Sequence, residues 1–127
     1  WDVNTVGNEN LDLENIELNF DKNTLEFKEK FLKIKMKSRD FFSLNKNRYK
    51  IIYIDGSHEA VDVFDDCVAS WKVLENKGII IMDDFFWKLN QNILNSPAKA
   101  IVDFLNTIQG EYKILKLTKY QISIKKI

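Results

Sequence analysis

Two apolar runs, each stopping on an acid, constrain this chain more than any other feature. Tyr49-Lys-Ile-Ile-Tyr-Ile54 ends at Asp55-Gly56-Ser57-His58, and Gly78-Ile-Ile-Ile-Met82 ends at Asp83-Asp84. Short, nearly continuous apolar runs of this kind read as strands covered on both faces. Between them the period changes. From Glu59 to Glu75, Ala60, Phe64, Cys67 or Val68, Trp71 and Leu74 recur at helical spacing, with Asp62, Asp65, Asp66 and Lys72 mostly off that stripe. Strand–helix–strand units between buried runs mean a parallel sheet with helices on its faces. The chain is predicted to be an α/β protein.

The flanking segments extend this pattern. Residues 1–24 are rich in Asn, Asp and Glu with no clear apolar period, so they are read as largely loop, with one short helix near Leu25–Phe31. In Phe31–Ser38, Leu32, Ile34 and Met36 alternate with lysines, the period-two pattern of an edge strand with one wet face. Asn76-Lys77-Gly78 is a predicted helix stop. After Asp84 comes an Asn- and Gln-containing loop, and then the only proline, Pro97, opens a helix through Gln109 closed by Gly110. That helix should bury Ala100, Ile101, Phe104, Leu105 and Ile108. Tyr112–Leu117 and Gln121–Ile127 are too close in sequence to pair except as an antiparallel hairpin. The 127 residues suit a single domain, 1–127.

Composition narrows the function classes. Nineteen basic and nineteen acidic residues balance, which leaves no electrostatic footprint for nucleic acid or a membrane surface. No apolar run approaches the roughly 20 residues a membrane span needs. The lone cysteine, Cys67, has no internal disulfide partner and favours a reducing, cytoplasmic setting. There is no export signal and no starting Met, so a trimmed chain or fragment is expected.

In open parallel sheets, ligands bind beyond the carboxyl ends of the strands. If the two acid-tipped strands are neighbours, Asp55, Asp83, Asp84 and His58 converge there. Two readings stand. The acids form an oxygen-rich site for a hard cation such as Mg²⁺, or Asp55 and Ser57 cap the next helix while Asp83-Asp84 is a solvated turn. His58, the only histidine, is a general base or a structural hydrogen-bond partner. Phe85, Phe86 and Trp87 line an acceptor pocket or cover the end of the sheet. Cys67 lies on the apolar stripe and reads as a small core residue. There is no G-x-G-x-x-G, P-loop or G-x-S-x-G, and no Cys/His cluster for zinc.

Tyr53-Ile-Asp-Gly-Ser-His58, Asp65-Asp66, Trp71, Leu74-Glu-Asn-Lys-Gly-Ile-Ile-Ile-Met-Asp-Asp84 and Trp87 together resemble class I S-adenosylmethionine-dependent methyltransferases. The likeness is to the subgroup with a YIDGSH and DD pattern that includes small-molecule and sugar O-methyltransferases. Pro97–Leu105 and Tyr120–Lys126 resemble the family's next helix and last strand. The resemblance implies a Rossmann-like, mostly parallel sheet with strand order 3-2-1-4-5-7-6 and an antiparallel C-terminal hairpin. Leu32–Lys37 would be strand three, Lys50–Ile54 strand four, Ile79–Met82 strand five and the hairpin strands six and seven. The segment from Trp1 would follow strand two, so the first two strands are lacking, and with them the donor's glycine-rich loop.

By the same resemblance, Ser38 lies near the adenine, and Asp55, Gly56 and His58 lie beside the donor sulfonium and the acceptor. Asp55, Asp83 and Asp84 hold a divalent ion in metal-dependent members. The implied activity is O-methylation of a small-molecule acceptor, with His58 and Asp55 catalytic. The alternative is a non-catalytic remnant that self-associates. Without strands one and two, strand four has an open apolar edge. That edge predicts homo-oligomerisation, pairing with a missing N-terminal half, or strand three moving across to strand four.

Overall fold

The computed structural model describes residues 12–87 and 92–127. The readings made for Trp1 to Leu11, and for the first part of the Asn/Gln loop at 88–91, lie outside the described residues. Two compact units emerge, one ending at Lys37 and the other running from Ser38 to Ile127.

The first unit corrects two expectations. Residues 13–23, read as loop, form helix α1 (Leu13–Asn23), whose first turn is capped by the Asp12 carboxylate accepting from the Asn15 N–H at 3.0 Å. A 3₁₀ turn follows at Leu25–Lys30, where the short helix was expected. Leu32–Lys37, read as strand three, forms no strand. Its alternation is real but serves another purpose. Lys33 bridges Glu17 at 3.0 Å and Asp21 at 2.6 Å on α1, and Lys35 also pairs with Glu17. Those lysines hold the Glu17 carboxyl down to about 2. Leu32, Ile34 and Met36 alternate with them and are exposed. A strand exists only with a neighbour to complete its hydrogen bonds, and among the described residues none pairs with this segment.

The second unit is the predicted α/β layer. It comprises α2 (Ser38–Leu44), β1 (Tyr49–Ile54), α3 (Ala60–Val73), β2 (Leu74–Met82), α4 (Pro97–Thr107), β3 (Tyr112–Leu117) and β4 (Ile122–Lys126). The four strands lie in the order β1-β2-β4-β3. β1 and β2 are parallel, with Ile52 opposite Ile80 and Ile54 opposite Met82. β4 runs antiparallel to both β2 and β3, with Met82 opposite Ile122. This is the right-hand half of the expected order, strands 4-5-7-6. The expected move of strand three has no strand to make it, since Leu32–Lys37 forms none, and β1 has one ladder neighbour, β2, among the described residues.

The core is one cluster. Cys67, Trp71 and Leu74 from the α3 stripe meet Ile80 and Met82 of β2, Ile122 and Ile124 of β4, and Ala100, Ile101, Phe104, Leu105 and Ile108 around α4. Val63, absent from the expected stripe, is also buried. Ile52 and Ile54 of β1 pack on this cluster, while Ile51 and Tyr53 are exposed on the other side, which corrects the expectation of a strand covered on both faces: alternate side chains point to opposite faces, and only one face of β1 meets the core.

The helix stop falls earlier than expected. α3 ends at Val73, and Asn76-Lys77-Gly78 lies inside β2 as a bulge: Tyr49 pairs with Leu74 and Ile51 with Ile79. Lys77 takes the left-handed conformation, φ 64°. A Cβ on Gly78 would stand 2.9 Å from the Glu75 carbonyl oxygen and from Leu74 side-chain carbons, so close approach makes glycine necessary there. The second helix starts as expected, with Pro97 in its first turn and Ser96 Oγ accepting from the Lys99 N–H at 3.3 Å.

Candidate active site

The carboxyl ends of β1 and β2 are locked together. The Asp83 N–H donates to the Ile54 carbonyl at 2.9 Å, while the Phe85 N–H donates to the Tyr120 carbonyl at 2.8 Å and ties the segment after β2 to the β3–β4 turn. Beyond this seam lies a cleft lined by Asp55, Gly56, His58, Asp83 and Asp84, with Val63, Met82 and Pro97 supplying apolar lining. Five of the six residues singled out from the sequence therefore meet. Ser38, at the start of α2, faces instead the Asp66 carboxylate. Asp66 in turn lies near the glycine, with Oδ2 3.5 Å from where a Gly56 Cβ would be. Asp66 was quoted in the motif without a role. It is half-buried, and burial raises its carboxyl above the usual range, with the Ser38 hydroxyl acting the other way.

Of the two capping candidates, Ser57 does bond a backbone N–H at the helix start, while Asp55 takes no part in a cap. Glu59 occupies the N-cap position of α3 without a side-chain cap bond. Ser57 Oγ accepts from the Glu59 N–H at 3.1 Å, and Asn95, from just before α4, accepts from the Ala60 N–H at 2.9 Å. The helix start is thus tied from a distant segment, and Asp55 is left for the cleft. Partial burial raises its carboxyl above the ordinary value, reinforced by Asp83 and Asp84 and opposed by His58.

The two acids after β2 take different partners. Asp84 Oδ2 lies 2.7 Å from His58 Nε2, in a pair whose side chains are about three-quarters buried (22% and 28% exposed). A carboxylate can only accept, so Nε2 is the donor, and in the neutral imidazole Nδ1 then carries the lone pair. Trp87 stacks on the imidazole at 4.6 Å between centroids and 21° between planes. Asp83 instead accepts from the Tyr53 hydroxyl and from Gln121 Nε2 at 3.1 Å, and Gln121 also donates to the Tyr53 oxygen at 2.9 Å. For Asp83, desolvation raises the carboxyl, but bonds from Tyr53, the Asp84 amide and Gln121 outweigh it and lower the value overall. The bond to Asp83, partial desolvation and the neighbouring charges of Asp83 and Asp55 push the Tyr53 phenol up to about 12.

Among the described residues, no group of three or more His, Cys, Asp or Glu side chains is disposed to share a metal ion. Asp83 turns to Tyr53 and Gln121 while Asp84 turns to His58, so the expected trio Asp55, Asp83 and Asp84 does not fit Mg²⁺ as arranged. Cys67 is fully buried, and burial together with Asp66 pushes its thiol up to about 12, so it is no nucleophile. Tyr53 and Gln121 were missed as site residues. Tyr53 sits one residue before the strand's end, on the face opposite Ile54, and this parity was the available signal. Gln121 precedes β4 and belongs to no local motif.

A mixed four-stranded sheet with acids and an imidazole at the carboxyl edge of its parallel pair defines a Rossmann-like α/β protein with its site at the strand ends. The chain belongs to a methyltransferase family: the family model described as "Methyltransferase domain" matches residues 6–85, which include β1, α3, β2 and the acids after both strands. Among solved structures, the fold is similar to that of a putative rRNA-methylase from Clostridium thermocellum, with TM-score 0.65 and 12% identity over 87% of this chain and 69% of that one. An O-methyltransferase from Bacillus cereus in complex with SAH also matches, at TM-score 0.49 and 13% identity over 70% of this chain and 46% of that one. At such identities the likeness is one of fold. No curated protein matches the chain in sequence. Among the described residues no helix is long and apolar enough to cross a membrane.

Proposed function

We infer that this chain serves S-adenosylmethionine-dependent transfer of a methyl group to an oxygen of a small molecule, in the manner of the YIDGSH and DD subgroup it resembles. The observation that carries the reading is the His58–Asp84 pair, 2.7 Å apart at the strand edge of a methyltransferase-family chain. Oxygen acceptors must lose a proton as they are methylated, and an imidazole fixed by a carboxylate through one nitrogen offers the other as base. His58 Nδ1 takes the hydroxyl proton, and Asp84 stabilises the imidazolium that results. Activation falls to His58 because Asp83 and Asp84 already have other partners.

S-adenosylmethionine supplies an electrophilic methyl group on a positively charged sulfonium. The cleft suits that charge, since Asp55, Asp83 and Asp84 outnumber its one imidazole. Asp55, Gly56 and His58 would hold the donor's reactive end, and Ser38, beside Asp66, its adenine end. Alignment of acceptor and methyl group would provide most of the acceleration.

A second reading has its own observation. The four glycines, Gly7, Gly56, Gly78 and Gly110, are scattered, so the chain has no glycine-rich donor loop. On that reading the chain is a non-catalytic remnant whose β1 edge pairs with a second copy or with a segment supplying further strands. Isothermal titration with S-adenosylmethionine and its demethylated product separates the two. Micromolar binding by this chain, lost in Asp55→Asn, supports the enzyme. No binding, together with a dimer by light scattering, supports the remnant.

A further inference from the structure

The His58–Asp84 pair stands on an unusual backbone. Asp84 has φ 54°, a left-handed conformation that few residues other than glycine, asparagine and aspartate adopt. Something must hold it there. The Asp84 N–H donates to Asp83 Oδ1 at 2.9 Å, which ties the turn to the orientation of the Asp83 carboxylate. That carboxylate is in turn fixed at its other oxygen by Tyr53 and Gln121. Tyr53 comes from the end of β1 and Gln121 from the start of β4, so the three strands β1, β2 and β4 clamp one carboxyl group.

The geometry points to Gln121 and Tyr53 as positioning residues for His58: they orient Asp83, Asp83 sets the left-handed turn at Asp84, and Asp84 then fixes the imidazole in its Nε2–H form. Neither touches His58. Each is linked to it only through the two acids, and the hairpin that carries Gln121 thereby becomes part of the site. The depressed Asp83 carboxyl agrees with this order, since its ionised form is the one the clamp holds. The inference rests on the proposed use of His58 but can fail separately from it.

The experiment exploits the chain's single histidine, whose imidazole ¹⁵N resonances can be assigned without ambiguity. The parent chain should show one tautomer, protonated at Nε2. Asp84→Asn tests the direct contact and should shift this signature. Gln121→Ala and Tyr53→Phe, singly and together, should shift it toward a tautomer mixture although they touch neither His58 nor Asp84. Tyr53→Phe keeps the ring of a half-exposed residue, so the fold is retained and the measurement is interpretable. If Asp84→Asn moves the signature and the double variant leaves it at the parent position, the coupling is refuted. An unchanged spectrum in Asp84→Asn overturns it as well, because the pair itself would be absent. Where methyl transfer is measurable, the double variant should lower kcat about tenfold or more with the donor KM held. A shifted tautomer without any methyl transfer would leave the positioning intact and count against the enzymatic reading alone.

Discussion

Asp84 offers a way to separate the strain of the site from its chemistry. Asp84→Gly and Asp84→Ala both delete the carboxylate, so both lose the contact to His58 and any base activity that depends on it. They differ only in the backbone. At φ 54° alanine retains the left-handed penalty of about 1–2 kcal/mol, whereas glycine does not. Glycine gives back about 0.5–1 kcal/mol through the greater freedom of its unfolded chain. The glycine variant should therefore be the more stable by about 0.5–1 kcal/mol. With a urea dependence of about 1–3 kcal/mol per molar for a small domain, its midpoint should lie roughly 0.2–1 M above that of the alanine variant. Fluorescence of the buried Trp71 reports the transition. Both variants should be equally poor in methyl transfer. An alanine variant as stable as the glycine one would refute the claim that Asp84 is held under strain, and with it the need for a clamp at Asp83.

Two further outcomes are expected. Absorbance titration of the phenols should contain a component near pH 12 that vanishes in Tyr53→Phe. Because the folded value lies above the ordinary 10.0, the stability linked to Tyr53 is complete below pH 10 and is lost as pH rises through 12; a titration finished by pH 11 would deny the Asp83 bond. Gly78→Ala should destabilise by about 1–3 kcal/mol through the 2.9 Å clash with the Glu75 carbonyl and buried Leu74, seen as a lower thermal midpoint. An unchanged midpoint would mean that the bulge in β2 relaxes freely.

Much of this architecture was legible in the chain itself. The apolar runs were legible as strands, although the double covering they suggested is not found, since Ile51 and Tyr53 of β1 are exposed; the helical stripe from Ala60 to Leu74 required a crossover, and the short spacing before Gln121 required a hairpin. Asp55, Asp83, Asp84 and His58 could be brought to one edge because residues at strand ends inherit their place from the sheet. Local pattern could say nothing, however, of whether Leu32–Lys37 had a neighbour. Its lysine alternation suits an edge strand and equally suits ion pairs to Glu17 and Asp21, which is what the structure contains.

The site divides in the same way. Residue type and strand-end position, both local properties, determined that three acids and an imidazole would share the carboxyl edge of β1 and β2. Which acid faces which partner depends on groups far apart in the chain, and only packing decides that. Gln121 reaches Asp83 because β4 pairs with β2, and that pairing sends one carboxylate to a tyrosine and the next to a histidine. The sequence left these acids open as a cation site or as caps and a solvated turn, and the tertiary structure sets the Asp83 carboxylate against Tyr53 and Gln121 and the Asp84 carboxylate against His58.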